Sequence, residues 1–347
     1  MGWMIRRLLK WSLVLTLAAA VAGGVAAYLA WSWYQEALEP VAEGSGQDRE
    51  FRVSPGQGTA EVADNLEREG LIRRALAFRL YSRLEGKDGQ LKAGLYLLSD
   101  AWSTPEILSE LVRGEVISFT VTVPEGLRVS QITDLVLSRQ MFEPDEWEEA
   151  LKWARSEESP LADIVPDDDR ILEPLEGYLF PDTYRLTEDT SARDLVRKMI
   201  GQLLGLLDEA AAERAEELGL SLHEVVTLAS IVEKEAMVEE ELGPIAGVFH
   251  NRLRLGMLLG ACPTVVYLVE RYPLTVQDLE IDSPYNTYAH PGLPPGPIAS
   301  PGRGALQATL NPEEVDYLYF VARGDGTHAF SRTYAEHLRN QRIYQGR

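Results

Sequence analysis

The sequence is poor in sulfur and in positive charge. It has one cysteine, Cys262, among 347 residues, so neither an internal disulfide nor a thiolate metal cluster can form. Lys and Arg number 33 against 54 Asp and Glu, which gives a formal net charge of −21. Such a surface repels phosphate, so the chain is neither a typical nucleic-acid binder nor a protein held on anionic lipid by a polybasic patch. The five histidines show no paired metal-ligand spacing, and we predict no metal site and no cofactor.

Long apolar runs are also scarce, and the one that exists lies near the N-terminus. Residues 11–34 carry no charge and are dominated by Leu, Val and Ala, and about 20 such residues cross a membrane as a helix. Three cations precede the run and two glutamates follow it, namely Arg6, Arg7, Lys10, Glu36 and Glu39. The positively charged flank of a membrane helix usually remains in the cytoplasm. We therefore predict a cytoplasmic tail over 1–10, a transmembrane helix over 11–34, a flexible linker over 35–49 and an exported remainder.

A cleaved signal peptide is the alternative to this anchor. The small residues from Ala18 to Gly23 offer a possible cleavage site. However, the apolar stretch continues for about ten residues beyond it, which is longer than a signal h-region. The sequence therefore favours an uncleaved anchor.

The exported part divides into residues 50–115 and 116–347. In the first part, apolar spacing predicts a strand near Phe51, helices near 60–70 and 74–84, a strand over 92–98 and a helix from Thr104. This strand–helix–helix–strand order resembles a LysM-like module, a fold often used on N-acetylglucosamine polymers, although a purely structural domain is an equal alternative. In the second part, we predict one helix from Asp194 to Leu218 and another from about Ser221. The predicted fold class is α+β.

The helix that begins near Ser221 carries the candidate chemistry. Glu235 projects inside its broad apolar arc, and Glu233 projects near the edge of that arc. A carboxyl group on an apolar face has a raised pKa, which suits a general acid near neutrality. The alternative is that both glutamates are half-exposed and pair with Lys234, Arg252 or Arg254. Spacing alone leaves these two interpretations even.

A series of motifs continues through the C-terminal half. They are LEGYLFPDTY at 175–184, LASIVEKEA at 228–236, VFHNRL at 248–253, PTV at 263–265, YNTY at 285–288, GLPPGPI at 292–298 and YLYFV at 317–321. Together and in this order they closely resemble the MltG (YceG-like) endolytic murein transglycosylases. The resemblance covers the anchor, the LysM-like unit and the whole C-terminal half, and it makes residues 116–347 the predicted catalytic domain.

The resemblance implies an activity and a catalytic residue. Glu235 would be the catalytic acid, and the bond cleaved would be the β-1,4 link from N-acetylmuramic acid to N-acetylglucosamine in a glycan strand. The muramic C6 hydroxyl would close onto C1 and leave a 1,6-anhydro end, which terminates strand elongation. The implied partners are peptidoglycan strands, the inner membrane and penicillin-binding peptidoglycan synthases.

Five further residues are predicted to bind substrate: Glu176, Tyr178, Glu233, Asn286 and Tyr288. Glu176 could stabilise positive charge on the sugar or tie a loop to backbone amides. The tyrosines could stack on sugars or lie buried in a core. Asn286 could bind an N-acetyl group or cap a turn.

One departure from the resemblance and two other functions stay open. Where the family usually has Gln and Asp before the Pro-Thr-Val block, this chain has Gly260-Ala261-Cys262. A non-catalytic peptidoglycan-binding scaffold is the first alternative. A hydrolysing muramidase, in which Glu176 or Glu233 activates water, is the second.

Overall fold

A computed structural model describes residues 2–346, with side chains for residue 11 and residues 13–346. Arg6, Arg7 and Lys10, on which the predicted orientation of the anchor depends, lie outside the described side chains. The chain forms two compact units. The first contains the chain up to Phe119 together with Thr187–Asp189, and the second contains Thr120–Leu186 and the chain from Thr190 onward. The predicted α+β class is confirmed.

The first unit begins with a long helix and continues as a small α+β body. Its elements are α1 (Gly2–Leu38), β1 (Asp48–Val53), α2 (Thr59–Arg68), α3 (Ala75–Leu84), β2 (Gly94–Ser99) and α4 (Thr104–Arg113). β1 and β2 pair antiparallel with Phe51 opposite Tyr96, and both rings are buried. The apolar faces of α2, α3 and α4 close the same core through Leu66, Phe78 and Ile107. The strand–helix–helix–strand order expected from the apolar spacing is therefore present.

Helix α1 has 37 residues, which corresponds to about 55 Å at 1.5 Å per residue. Its segment Leu13–Leu38 has a mean hydropathy of 2.1 and is long and apolar enough to cross a membrane, a property that anchors share with signal sequences. The helix continues beyond the predicted end at Tyr34, and Tyr34 and Leu38 pack with Ala77 of α3. The predicted linker is also tied to the unit, because Arg73 Nε donates to the Pro40 carbonyl at 2.7 Å.

The second unit is mostly helical, with short two-stranded sheets. Its elements are β3 (Phe119–Thr122, which starts at the unit boundary), α5 (Val129–Ser138), α6 (Pro144–Ala154), β4 (Thr183–Leu186), α7 (Ala192–Leu204), α8 (Glu209–Glu217), α9 (Leu222–Glu235), α10 (Leu242–Arg254), α11 (Cys262–Val269), α12 (Arg303–Leu310), β5 (Tyr319–Ala322), β6 (His328–Ser331) and α13 (Tyr334–Gln345). Short 3-10 turns occupy Glu239–Glu241 and Gln277–Glu280. Helix α9 packs against α8, α10, α11 and α12, and so lies at the centre of this unit.

The single helix expected from Asp194 to Leu218 is wrong. The structure has α7 and α8 instead, separated at Gly205–Asp208. The Asp208 carboxylate accepts from the Ala211 N–H at 3.0 Å and caps α8, and the chain changes direction there. The leucine spacing continues through the break, which is why periodicity did not detect it.

Candidate active site

Helix α9 carries the predicted catalytic residue at its last position. The capping box at its start is present, with Ser221 Oγ accepting from the Glu224 N–H and the Glu224 carboxylate accepting from the Ser221 N–H at 2.8 Å. Side chains from Val225 to Val232 are buried, so the middle of the helix is inaccessible to a polymer substrate. Past Val232, the C-terminal turn with Glu233 and Glu235 reaches a less buried environment. The helix ends at Glu235, where Ala236 is extended.

Glu235 has an environment suited to an acid that works near neutral pH. Burial raises the pKa of its carboxyl group to about 7, while Arg252 and the backbone N–H of Cys262 act in the opposite direction. The Arg252 guanidinium is fixed by donation from Nε to the Leu318 carbonyl at 2.7 Å, and it lies 5.3 Å from the Tyr319 ring centroid. The carboxyl group is therefore protonated in part at pH 7, and a held cation faces it when it ionises.

Tyr288 is the predicted substrate-binding residue that lies with Glu235. Its hydroxyl is 3.0 Å from Cys262 Sγ, and burial with the nearby Glu235 and Cys262 raises the pKa of that hydroxyl, which stays protonated. The Tyr288 ring is half-buried, so part of it remains accessible. Glu235, Arg252, Cys262 and Tyr288 thus form one cluster, which we call the Glu235 cluster.

Asn286 holds the backbone turn that leads to Tyr288 of this cluster. Its Nδ2 donates to the carbonyls of Leu279 at 3.0 Å and Ile281 at 2.8 Å, and its Oδ1 accepts from the Tyr288 N–H at 3.0 Å. The side chain is fully buried and its amide is occupied by these bonds. This geometry does not support the expected contact with an N-acetyl group. It agrees with the alternative role of holding a turn, here the turn that presents Tyr288.

Glu233 faces a different space from Glu235. Its Oε2 accepts from the Gly302 N–H at 3.0 Å, and burial followed by the charge of Glu125 raises the pKa of its carboxyl group. Glu233, Glu125 and Arg303 line a surface cavity of about 400 Å³ that also exposes Met237. Glu235 does not line this cavity. The structure therefore separates the two neighbouring glutamates into two environments.

Glu176 is buried and acts on the backbone of a neighbouring helix. Its Oε1 accepts from the N–H of Val129, the first residue of α5, at 3.0 Å. Burial raises the pKa of Glu176 to about 7, opposed by this bond and by a hydrogen bond with Tyr267. A carboxylate at a helix N-terminus is stabilised by the free N–H groups there. The geometry agrees with the alternative of tying a loop to backbone amides, and it gives no support to a direct contact with the sugar.

Tyr178 lies fully buried beside α9. Its hydroxyl is 2.7 Å from His223 Nδ1, and His223 Nε2 is 2.7 Å from the Pro295 carbonyl. Because a carbonyl only accepts, Nε2 carries the proton and Nδ1 accepts from Tyr178. The neighbouring Gly177 has a φ of +84°, and a Cβ there would lie 2.6 Å from the Pro297 Cβ. These contacts hold the proline-rich loop at 292–298 against α9. The Tyr178 ring is buried, which gives no support to the expected sugar stacking.

The sequence reasoning missed the roles of Arg252 and Glu125. Arg252 lies in the VFHNRL motif but was considered only as an ion-pair partner of an exposed carboxylate. Glu125 lies in a Pro-Glu-Gly turn, which carries no signal of its own. No group of three or more His, Cys, Asp or Glu side chains with metal-binding geometry occurs among the described residues.

Comparisons with known proteins identify the family of this chain. A family model described as the YceG-like family matches residues 51–343. The chain belongs to the YceG-like family. It is 34% identical over 317 residues to the endolytic murein transglycosylase of Bacillus subtilis, with 88% of each chain covered. It is 31% identical over 358 residues to the endolytic murein transglycosylase of Streptococcus pneumoniae strain D39, covering 95% of this chain and 64% of the relative.

A solved YceG-like structure extends the likeness to the fold. The crystal structure of a YceG-like protein from Listeria monocytogenes aligns with a TM-score of 0.55 and 33% identity. The alignment covers 85% of this chain and 99% of the other. The YceG-like fold thus accounts for most of both units.

Proposed function

We propose that this YceG-like protein is a membrane-anchored endolytic lytic transglycosylase that cleaves peptidoglycan glycan strands. The observation that carries the proposal is the carboxyl group of Glu235, whose pKa is raised to about 7 at the accessible end of a buried helix. The relatives named endolytic murein transglycosylase, at 31% and 34% identity, support the same reaction. The bond cleaved is the β-1,4 link from N-acetylmuramic acid to N-acetylglucosamine.

In the proposed reaction, Glu235 acts first as an acid and then as a base. The protonated carboxyl group donates to the glycosidic oxygen as the C1–O bond breaks, and N-acetylglucosamine leaves with a free 4-hydroxyl. The carboxylate then takes the proton of the muramic C6 hydroxyl as its oxygen bonds to C1. Glu235 is thereby protonated again and no water is consumed. Because the nucleophile belongs to the substrate, a second carboxylate at a fixed separation is not needed, unlike in hydrolysing glycosidases.

The remainder of the Glu235 cluster has supporting roles in this reaction. Arg252 faces the carboxylate that forms after the first proton transfer and lowers its free energy. Tyr288 is half-buried and offers an aromatic edge and a hydroxyl for a sugar ring at the cluster. Glu233 and its cavity lie beside the cluster, and we assign them to substrate binding.

The proposal extends to the membrane location and the partners of the protein. The apolar segment Leu13–Leu38 would anchor the chain in the inner membrane by a single span, with both units outside the cytoplasm. The first unit would be a LysM-like module, supported by its strand–helix–helix–strand order. Penicillin-binding peptidoglycan synthases would be partners, since strand termination acts on the strands that they make.

The experiment is a digest of purified sacculi with the full-length protein, with products weighed by mass spectrometry. Products with 1,6-anhydro-muramic ends, lighter than reducing ends by one water, are expected. Reducing ends would indicate a hydrolysing muramidase, and no products would indicate a binding scaffold. Glu235→Gln should abolish the products, while the matched variant Glu233→Gln should keep the anhydro chemistry. Loss of the products in Glu233→Gln alone would transfer the acid role to that residue.

A further inference from the structure

Helix α3 of the first unit carries a row of leucines that nothing in the described chain covers. Leu76, Leu80 and Leu84 are 63%, 43% and 68% exposed. Their spacing of four residues places them on one face of the helix. The row consisting of these three leucines, here called the leucine face, lies next to the row of Ala77 and Tyr81. That second row packs against the end of α1.

The contact with α1 fixes where the leucine face lies along the proposed membrane normal. Tyr34, Ala37 and Leu38 of α1 form the contact with α3, and they follow the exposed Trp31 and Trp33. Tryptophan and tyrosine at the end of an apolar helix mark the boundary between hydrocarbon and headgroups. At 1.5 Å per residue, the contact lies about 5 to 10 Å beyond Trp31. This is the depth at which headgroups lie and at which interfacial helices insert their apolar faces.

The charges around the leucine face suit the same location. Arg83 lies beside the face with its side chain 80% exposed, and its Nε is 3.9 Å from the exposed Asp88 carboxylate. Its long stem can cover apolar surface while its guanidinium stays among polar groups. Glu85 follows the helix about 100° from Leu84, on the side of Tyr81 and Tyr34 and away from the leucine face. The Arg73 bond to the Pro40 carbonyl keeps the connection from α1 short. The helix therefore cannot move far from the point at which α1 leaves the membrane.

We propose that the leucine face of α3 inserts into the headgroup region of the membrane that α1 crosses, so that the first unit lies on the lipid surface. The proposal depends on the anchoring of α1 put forward above, but not on the reaction at Glu235. Its occupant is the lipid of the outer leaflet. Insertion would hold the first unit at a fixed height instead of letting it move freely on a tether.

The test places an environment-sensitive fluorophore on the full-length chain reconstituted in phosphatidylcholine vesicles that contain a spin-labelled lipid with its quencher near the headgroup. Cys262 is the single native thiol, and Cys262→Ser removes it so that a new cysteine can be labelled alone. In this background, Leu80→Cys labels the leucine face, Trp31→Cys labels the anchor, and Leu97→Cys is the matched control. Leu97 is a 50% exposed leucine of the same unit, and its strand partner is the exposed Glu50.

The expected result is quenching at position 80 several-fold stronger than at position 97 and close to that at position 31. Quenching at 31 with position 80 equal to position 97 would overturn the insertion of α3 and leave the anchor intact. Absence of quenching at 31 would overturn the anchor and with it this proposal. A blue-shifted emission at 80 without lipid quenching would mean that a protein, either a second copy or another partner, covers the face, and would also overturn it.

Discussion

Glu235→Gln should stabilise the protein at alkaline pH while removing its activity. The carboxyl group has an ordinary pKa of 4.5, and burial raises it to about 7 in the folded chain. Ionisation therefore costs free energy only in the folded state, so the wild-type protein loses stability as pH rises from about 4.5 through about 7. At 1.36 kcal/mol per pKa unit, the full penalty is about 3 kcal/mol above pH 7 and absent below pH 4. Glutamine keeps the shape and never ionises.

The measurement is urea unfolding of the full-length wild-type and variant proteins in detergent at pH 4 and pH 8. The difference in unfolding free energy between the two proteins should move by about 3 kcal/mol in favour of Glu235→Gln between these pH values. Glu176 also has a raised pKa, but it is present in both proteins and its effect cancels. Glu213→Gln, at an exposed position on α8, is the control and should show little change. A difference for Glu235→Gln that is the same at both pH values would refute the reasoning.

Three further variants test individual contacts. Arg252→Met removes the cation that lowers the pKa of Glu235, so the alkaline limb of the pH–rate profile should move to higher pH, while Arg252→Lys should keep it near the wild-type position. Asn286→Ala leaves two partly buried carbonyls without donors and should reduce the free energy of unfolding by about 2 kcal/mol, measured by urea titration. Tyr178→Phe leaves His223 Nδ1 without its donor and should cost about 1 to 2 kcal/mol in the same assay while kcat on sacculi stays unchanged. A large loss of kcat in Tyr178→Phe with no loss of stability would instead indicate that the Tyr178 hydroxyl contacts the substrate.

Local signals in the sequence account for the position of the candidate acid. The capping box at Ser221 fixed the start of α9, and the apolar arc along the helix identified Glu235 as the glutamate placed among apolar side chains. Both depend on neighbours within a few residues, so spacing detects them, but the choice of Glu235 as the catalytic acid rests on the resemblance to the MltG (YceG-like) family. The raised pKa expected from that position is present. Its size could not be specified from spacing, because Arg252 and the Cys262 N–H, which lower the pKa, come from other elements.

Long-range contacts were not predictable in the same way. The sequence does not decide whether Asn286 binds a sugar or holds a turn, because its partners at Leu279 and Ile281 are backbone carbonyls, which any residue carries. The cavity beside Glu233 depends on Glu125, more than 100 residues away, and on the close approach of Glu125 to Gly302. The break between α7 and α8 depends on the cap at Asp208, which the continuing leucine spacing concealed.

The location of Glu235 between two helix ends explains how one carboxyl group could serve both halves of the proposed reaction. The carboxyl group lies at the C-terminus of α9, where the partial negative charge of the helix adds to burial in opposing ionisation. The first N–H of α11, at Cys262, and the Arg252 guanidinium oppose that rise. With burial alone, the carboxylate left after the first proton transfer would be much higher in free energy than the protonated acid, so the first step would be unfavourable. With the cation and N–H alone, the acid would be ionised at pH 7. Because the two influences are opposed, the protonated and ionised forms are close in free energy near pH 7, as alternating acid and base steps require.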